Sequence, residues 1–538
     1  MRIADAIIKV LENNGVKCVF GIPASTFAGI LDAMNDNNIE FIVTKNEAGC
    51  SYSASSYAEL SNELGVCMLA GGVGLNNAIN GIANARRNKT PMLIITGNVR
   101  REYMGKGAFQ EFDNASMVKS ITKHSIEVTK EEVVIVELQK AMNIALTPPC
   151  GPVHISIPYD VQTATFEGDI NLNRTINKPI NDEKSLEECI KEINKTEKGL
   201  IFIGRGTMGL SNEIKKLSQN VSWPIISTSN AKGIINTDFP YYIGNYGFCS
   251  TDSAIEYIEK EQIDCILFLG TSLGQCATRD YNDVLVNGRK VIRIDWDKKE
   301  FNKIFKEDIS VCYELKEAMG VLINRVDQKQ NSSFIKPEMN KPYVKDHTGI
   351  SLRLLFEKFP EILPKDTCLH VDTGDYFNYA YKYLPIREDM YLHTSLNYGC
   401  IGTALAGVMG SYMYNKNIPY AVIAGDGAFY MNGTEILTAK EYNMPIIYFI
   451  INNSMFGLIK NGMKALFGRD FKGKIVFEKN SIASIAEAMG VEAVQITDLC
   501  QVDSLKELMN NRTAPLVIEV ITNGTEVFID TDRIKKAI

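Results

Sequence analysis

The chain has 538 residues, a formal net charge of -7 and a composition that is 45% hydrophobic and 22% charged. This is an ordinary globular composition, long enough for roughly three to four domains. Its 57 Lys and Arg are scattered rather than clustered, which excludes nucleic acid and anionic membrane as expected partners and leaves small molecules.

The opening "MRIADAIIKVLENNGV" carries Asp5 and Lys9 where a signal peptide has its apolar core, and no later apolar run nears membrane-spanning length; a cytoplasmic location is expected. Short β-rich apolar runs then alternate with helical periodicity along the chain, the pattern of parallel sheets covered by helices on both faces. The expected fold is α/β, with three doubly wound parallel-sheet domains. The first, at 1–165, offers the strands "VKCVFGI", "IEFIVTK", "LGVCMLAGG", "PMLIITGN" and "VHISIP", and a polar segment from Thr163 to Glu197 reads as a linker. The second, at 180–328, offers "GLIFIG", "WPIIST", "CILFLG" and "KVIRIDWD", with a second linker from Arg325 to Pro342. The third, at 343–538, offers "TCLHVDTG", "YAVIAGDG", "MPIIYFIINN" and "APLVIEVI". Twelve cysteines form no C-x-x-C pair and no zinc-spaced cluster, so idle thiols are expected.

In the middle domain Gly204–Gly209 spells "GRGTMG", a formal G-x-G-x-x-G after a strand, yet the next strand ends in Ser227 and Thr228 rather than in the acid that would hold a ribose. A structural turn is the better reading, with a vestigial or real nucleotide site as the alternative. The third domain carries a more specific constellation. Gly425, Asp426 and Gly427 end one strand, and Asn452 and Asn453 end the next. A strand, a turn, a helix capped by Asn432 with Glu435 three residues on, and a second strand set Asp426 beside Asn453 at one sheet edge. Their oxygens, with a backbone carbonyl just past Asn453 at Met455, suit Mg²⁺ between phosphate oxygens, while N–H groups at Gly427 and Ala428 face the anion.

This stretch resembles the thiamin diphosphate (ThDP) signature, G-D-G followed by some 25 residues and N-N, and the whole chain resembles the acetolactate synthase and pyruvate decarboxylase superfamily. The resemblance implies a pyrimidine-binding, a central Rossmann-like and a diphosphate-binding domain, with ThDP and Mg²⁺ as cofactors. It implies that Glu47, in "TKNEAGCSYSASSYAEL", is the acid that activates the aminopyrimidine. Gly72 and Asn77 match the family's T-S-G-P-G-x-T-N stretch, with Val73 in place of its proline. Ile401 becomes the wedge that bends the cofactor, Gly399 and Ile401 hold the pyrimidine edge, and Thr373 reaches the diphosphate. Family proteins join two subunits around each cofactor, so a homodimer or homotetramer is implied.

For the reaction, the proton-relay groups of simple decarboxylases are replaced by Ser25, Arg101, Glu102 and Ile459. The run from Gly107 resembles the synthase pattern D-A-F-Q-E-x-D with Phe109, Gln110 and Glu111 kept, which assigns Gln110 a catalytic role. Leu458 and Ile459 match the aliphatic substrate wall of carboligases, and Gly462 stands where synthases have tryptophan, which opens the acceptor pocket. "GTSLGQCATRDYN" lacks the flavin-binding Arg-Phe-Asp-Asp-Arg stretch, so FAD is not expected. The expected activity is decarboxylation of a 2-oxo acid, pyruvate being the foremost donor, with ligation of the acyl-anion unit to a carbonyl acceptor. The alternatives are a non-oxidative decarboxylase that uses Glu102, Asp375 or water for protonation and releases an aldehyde, and a non-catalytic cofactor-binding homologue serving assembly.

Overall fold

A computed structural model describes residues 1–176, 181–329, 334–341 and 349–528. The expected domain limits at 180, 343 and 538, and parts of the second linker, lie outside these residues.

Strands β1 (Cys18–Gly21), β2 (Glu40–Val43), β3 (Gly65–Leu69), β4 (Met92–Asn98), β5 (His124–Glu127) and β6 (Pro152–Pro158) form a sheet in the order β2-β1-β3-β4-β6-β5. A second sheet takes β7 (Gly199–Ile203), β8 (Ile225–Thr228), β9 (Tyr242–Tyr246), β10 (Cys265–Leu269), β11 (Lys290–Asp295) and β12 (Ile309–Cys312) in the order β12-β11-β10-β7-β8-β9. The third takes β13 (Cys368–Val371), β14 (Tyr391–Thr394), β15 (Tyr420–Gly425), β16 (Ile446–Asn452), β17 (Glu492–Ile496) and β18 (Leu516–Ile521) in the order β14-β13-β15-β16-β18-β17. All their pairings are parallel, and the chain has three α/β domains. Among the described residues no helix is long and apolar enough to cross a membrane.

The apolar runs account for every interior strand. The five strands they miss, β5, β9, β12, β14 and β17, all lie at sheet edges. An edge has fewer neighbours to cover it, so polar residues interrupt its sequence: β17 exposes Glu492 and Gln495, and β14 exposes Tyr391. The segment from Thr163 to Glu197 also departs from its linker reading. It contains the helix Glu183–Lys195, which buries Leu186, Cys189, Ile190 and Ile193 in the central domain. That apolar stripe is narrow and its outer face is charged, so composition alone resembles a linker.

The first and third domains share one core, in which Phe20, Cys67 and Ile94 pack in a common cluster with Leu405, Met409 and Tyr448. Helix Glu47–Ser61 crosses helix Thr403–Tyr414 at backbone distance: a Cβ on Gly410 would lie 1.8 Å from Ser53 O, and one on Gly407 2.4 Å from Ser56 Oγ. Ser53 Oγ donates to Ala406 O at 2.8 Å across the crossing. The "GRGTMG" turn is structural. Gly204 N–H donates to Leu269 O and Gly206 N–H to Gly270 O, both at 2.9 Å, so protein carbonyls occupy donors that a pyrophosphate would need. Arg205 of this turn reaches out of the central domain to Glu59 of the first and to Thr394 O of the third, at 2.7 Å for the latter. Against the cost of burial, Arg205 and His393 hold the Glu59 carboxyl well below its ordinary range. The turn thus clasps three domains.

One buried histidine makes the first domain sensitive to acid. His154 lies on β6, shares hydrogen bonds of 2.9 Å with Thr96 Oγ1 and Ser125 Oγ, and is pushed down to about 3 by burial. The unfolded chain takes up this proton below the ordinary value of 6.5 while the folded chain does not, so stability is complete above that value and is lost as pH falls towards about 3. Urea unfolding followed from about pH 7 to about pH 5 should show a loss of about 2 kcal/mol from this residue. His154→Gln should flatten that leg.

Candidate active site

The carboxyl ends of β13, β15 and β16 meet at one sheet edge, with Gly425 opposite Ile451 and Val371 opposite Ile423. β15 runs directly into the helix Asp426–Asn432. Asp426 is 3% exposed; its Oδ1 accepts from Gly427 N–H at 2.7 Å, and its Oδ2 is buried with no hydrogen-bond partner among the described residues. An orphaned hard oxygen of this kind suits a magnesium ion. Burial pushes the carboxyls of Asp372, Asp375 and Asp426 each up to about 6, and a cation among them would favour the charged forms again.

Asn453 lies just past β16. Its Nδ2 donates to Asp375 Oδ2 at 3.1 Å, and its Oδ1 accepts from Met455 N–H at 3.1 Å. Asn452 is a structural neighbour, its Nδ2 bound to Glu519 Oε1 at 2.6 Å. Close packing explains the two glycines beside Asp426: a Cβ on Gly425 would meet the Tyr376 ring at 2.8 Å and one on Gly427 the Phe456 ring at 2.9 Å. Ala428 is buried in the next position.

Asp372 directly follows β13 and secures the turn that carries Ile401. Its carboxylate accepts from Thr373 N–H at 2.7 Å and from Gly402 and Ala404 N–H at 2.8 Å. Gly399 is exposed in this turn with φ of 78°, a left-handed conformation that favours glycine, and Ile401 and Thr373 are half-buried. Helix Gly457–Phe467 forms the adjoining wall, with Leu458 and Ile459 exposed. A Cβ on Gly462 would meet nothing within 4 Å among the described residues.

A second group forms on the first domain. Glu47 opens its helix behind the cap residue Asn46, whose side chain accepts from Ala48 N–H at 2.8 Å. Asn77 Nδ2 donates to Glu47 Oε2 at 2.9 Å. Gly72, with φ of 61°, turns the chain into helix Val73–Asn88, and its N–H donates to Asn114 Oδ1 at 2.7 Å. Gln110 adopts φ of 63° in the loop against this turn. Glu111 shapes that loop by accepting from the N–H groups of Gly105, Gly107 and Ala108, which hold its carboxyl below the ordinary range. Phe109 is left 89% exposed at the tip, and Ser25 is exposed on a neighbouring turn.

Among the described residues no hydrogen bond joins the Glu47, Asn77 and Gln110 group to the Asp426 and Asn453 group. Glu435 connects their supports. The expected cap fails here: Asn432 is the last residue of helix Asp426–Asn432, and Thr434 precedes helix Glu435–Glu441 without a side-chain cap bond. The buried Glu435 carboxylate instead accepts from Asn46 N–H at 2.9 Å and Lys45 N–H at 3.1 Å, at the start of the Glu47 helix. An acid serves a helix N-terminus, but that of another domain. The Asp372 clamp and this Glu435 contact carry no sequence signal beyond the acids themselves.

Candidate acid, amide and metal-ligating groups are thus divided between two α/β domains that pack on one another, Glu47 and Asn77 on the first and Asp426 and Asn453 on the third. Profiles of thiamine pyrophosphate enzymes match the chain in three blocks: the N-terminal TPP binding domain at 1–117, the central domain at 186–322 and the C-terminal TPP binding domain at 372–520. The chain belongs to the ThDP-dependent enzymes of the acetolactate synthase and pyruvate decarboxylase superfamily. It is 26% identical over 534 residues to the acetolactate synthase isozyme 2 large subunit of Escherichia coli, covering 98% of this chain and 96% of that one. The probable acetolactate synthase large subunit of Methanocaldococcus jannaschii is 27% identical over 552 residues, covering 98% and 93%. The acetolactate synthase large subunit of Lactococcus lactis is 26% identical over 539 residues, covering 97% and 93%.

Proposed function

We propose that this enzyme decarboxylates a 2-oxo acid, with pyruvate as the foremost donor, and ligates the resulting acyl-anion unit to a carbonyl acceptor, with ThDP and Mg²⁺ as cofactors. The observation that carries ligation over aldehyde release is what stands where simple decarboxylases carry relay groups: Ser25, Arg101, Glu102 and Ile459. Arg101 is held by Asp160 at 2.6 Å and Glu131 at 2.6 Å, and Glu102 by Arg100 at 2.9 Å. The Arg101 guanidinium, raised above its ordinary range by Asp160 and Glu131, is a poor proton donor. The names of the relatives, acetolactate synthase large subunits, support the same reading.

ThDP, when bound, supplies the electron sink for decarboxylation. Glu47, oriented by Asn77, holds the proton at N1′ of the aminopyrimidine. Asp426, Asn453 and the Met455 carbonyl hold Mg²⁺, and Gly425, Gly427, Ala428 and Thr373 pack around the diphosphate. Gly399 and Ile401 hold the pyrimidine edge, and Gly72 shapes the turn beside Asn77. Gln110 acts on the substrate, in a pocket lined by Ser25, Phe109, Leu458, Ile459 and Gly462. Phe109 is 89% and Ile459 54% exposed; such apolar groups on two separate faces support a second copy of the chain as the partner that completes each site, in a homodimer or homotetramer.

The test is product analysis by NMR with purified enzyme, ThDP, Mg²⁺, pyruvate and a series of carbonyl acceptors. A new C–C bond is expected; free aldehyde as the sole product with every acceptor would overturn ligation. Gly462→Trp should fill the open space beside the helix. It is expected to lower ligation to bulky acceptors about tenfold or more while sparing the smallest, read as the ratio of products in competition.

A further inference from the structure

We infer that Asp375 is a positioning residue for the proposed metal site: it sets the direction in which Asn453 presents its oxygen. This rests on the assignment of Asn453 as a Mg²⁺ ligand. An Asn side chain has one acceptor end and one donor end. With Nδ2 donating to Asp375 Oδ2 at 3.1 Å, the opposite amide orientation would set Oδ1 against a carboxylate. The flipped form is therefore disfavoured, and Oδ1 is turned away from Asp375, towards the side where its other contact, Met455 N–H, lies at 3.1 Å.

The local backbone is built for this contact. Asp375 opens the helix Asp375–Tyr383 after β13, and Asn453 follows β16. Gly457 lies between them: a Cβ there would sit 1.9 Å from Asp375 Oδ2 and 3.1 Å from Asn453 Nδ2. Only glycine leaves the carboxylate its place. Gly457 is not in a left-handed conformation, so its requirement is steric and alanine tests it without removing a charge. Partners of metal ligands commonly tune affinity in this way, by fixing ligand orientation.

The experiment is titration of the full-length protein with Mn²⁺ in the presence of ThDP, with free Mn²⁺ read by electron paramagnetic resonance. Asp375→Ala is expected to raise the Mn²⁺ dissociation constant about 10- to 100-fold. Gly457→Ala, which displaces the carboxylate, should have an effect of the same order, and it serves if the first variant does not fold. Asp375→Asn retains an acceptor oxygen for Asn453 and should stay within about tenfold of the wild type. Wild-type affinity in both alanine variants would overturn the inference. So would an Asp375→Asn variant as weak as Asp375→Ala, because the lost feature would then be charge and not direction. Failure of the wild-type protein itself to bind Mn²⁺ with ThDP would instead overturn the metal assignment on which the inference rests.

Discussion

Replacing Glu47 by Gln is expected to leave ThDP bound while slowing exchange of its C2 proton by about 10²- to 10⁴-fold, the usual contribution of a positioned acid/base group. The substitution conserves shape. Asn77 Nδ2, now 2.9 Å from Glu47 Oε2, can still donate to an amide oxygen, and the helix start remains held by Asn46 and Glu435. What is lost is the ability to hold and return a proton at the pyrimidine nitrogen. Hydrogen–deuterium exchange at C2 of the bound cofactor, quenched in acid and read by NMR, separates this from loss of binding. Exchange at the wild-type rate would remove Glu47 from its role.

Asp426→Ala should act on the other half of the site. It removes the buried Oδ2 that has no partner among the described residues, and cofactor affinity in the presence of Mg²⁺ is expected to fall by about 10²- to 10³-fold, the scale for truncating one member of a buried charge pair. Isothermal titration of ThDP at fixed Mg²⁺ measures it. Chelation of the metal from the wild-type protein should weaken ThDP binding comparably, and should change little further in the variant. An affinity equal to that of the wild type would detach Asp426 from the diphosphate.

These two expectations concern residues that lie some distance apart in the chain and on different domains, yet both are visible in the sequence. Asp426 and Asn453 follow apolar runs whose register as neighbouring parallel strands brings their ends together. The interior strands are legible for the same reason: a strand covered on both faces must be a continuous apolar run. The edge strands β5, β9, β12, β14 and β17 were not: β17 carries exposed polar residues, while β9 and β12 are short and their buried runs are broken by Gly244 and Asn245 and by Ser310. The helix Glu183–Lys195 was hidden because a charged outer face resembles a linker in composition.

The sequence by itself determined three parallel α/β domains and the glycine-flanked aspartate with its asparagine, because each follows from local pattern and spacing; Glu47 was singled out by resemblance to the family's motif. Only the tertiary structure decided which polar groups meet across domains. Glu435 was expected to serve its own helix and serves the helix of Glu47; Arg205 belongs to a nucleotide-like turn and clasps Glu59 and Thr394; Asp375 directs Asn453. A buried carboxylate must find donors wherever the packed chain supplies them. The partner's distance along the sequence is therefore set by how whole domains pack, and no short-range spacing records it.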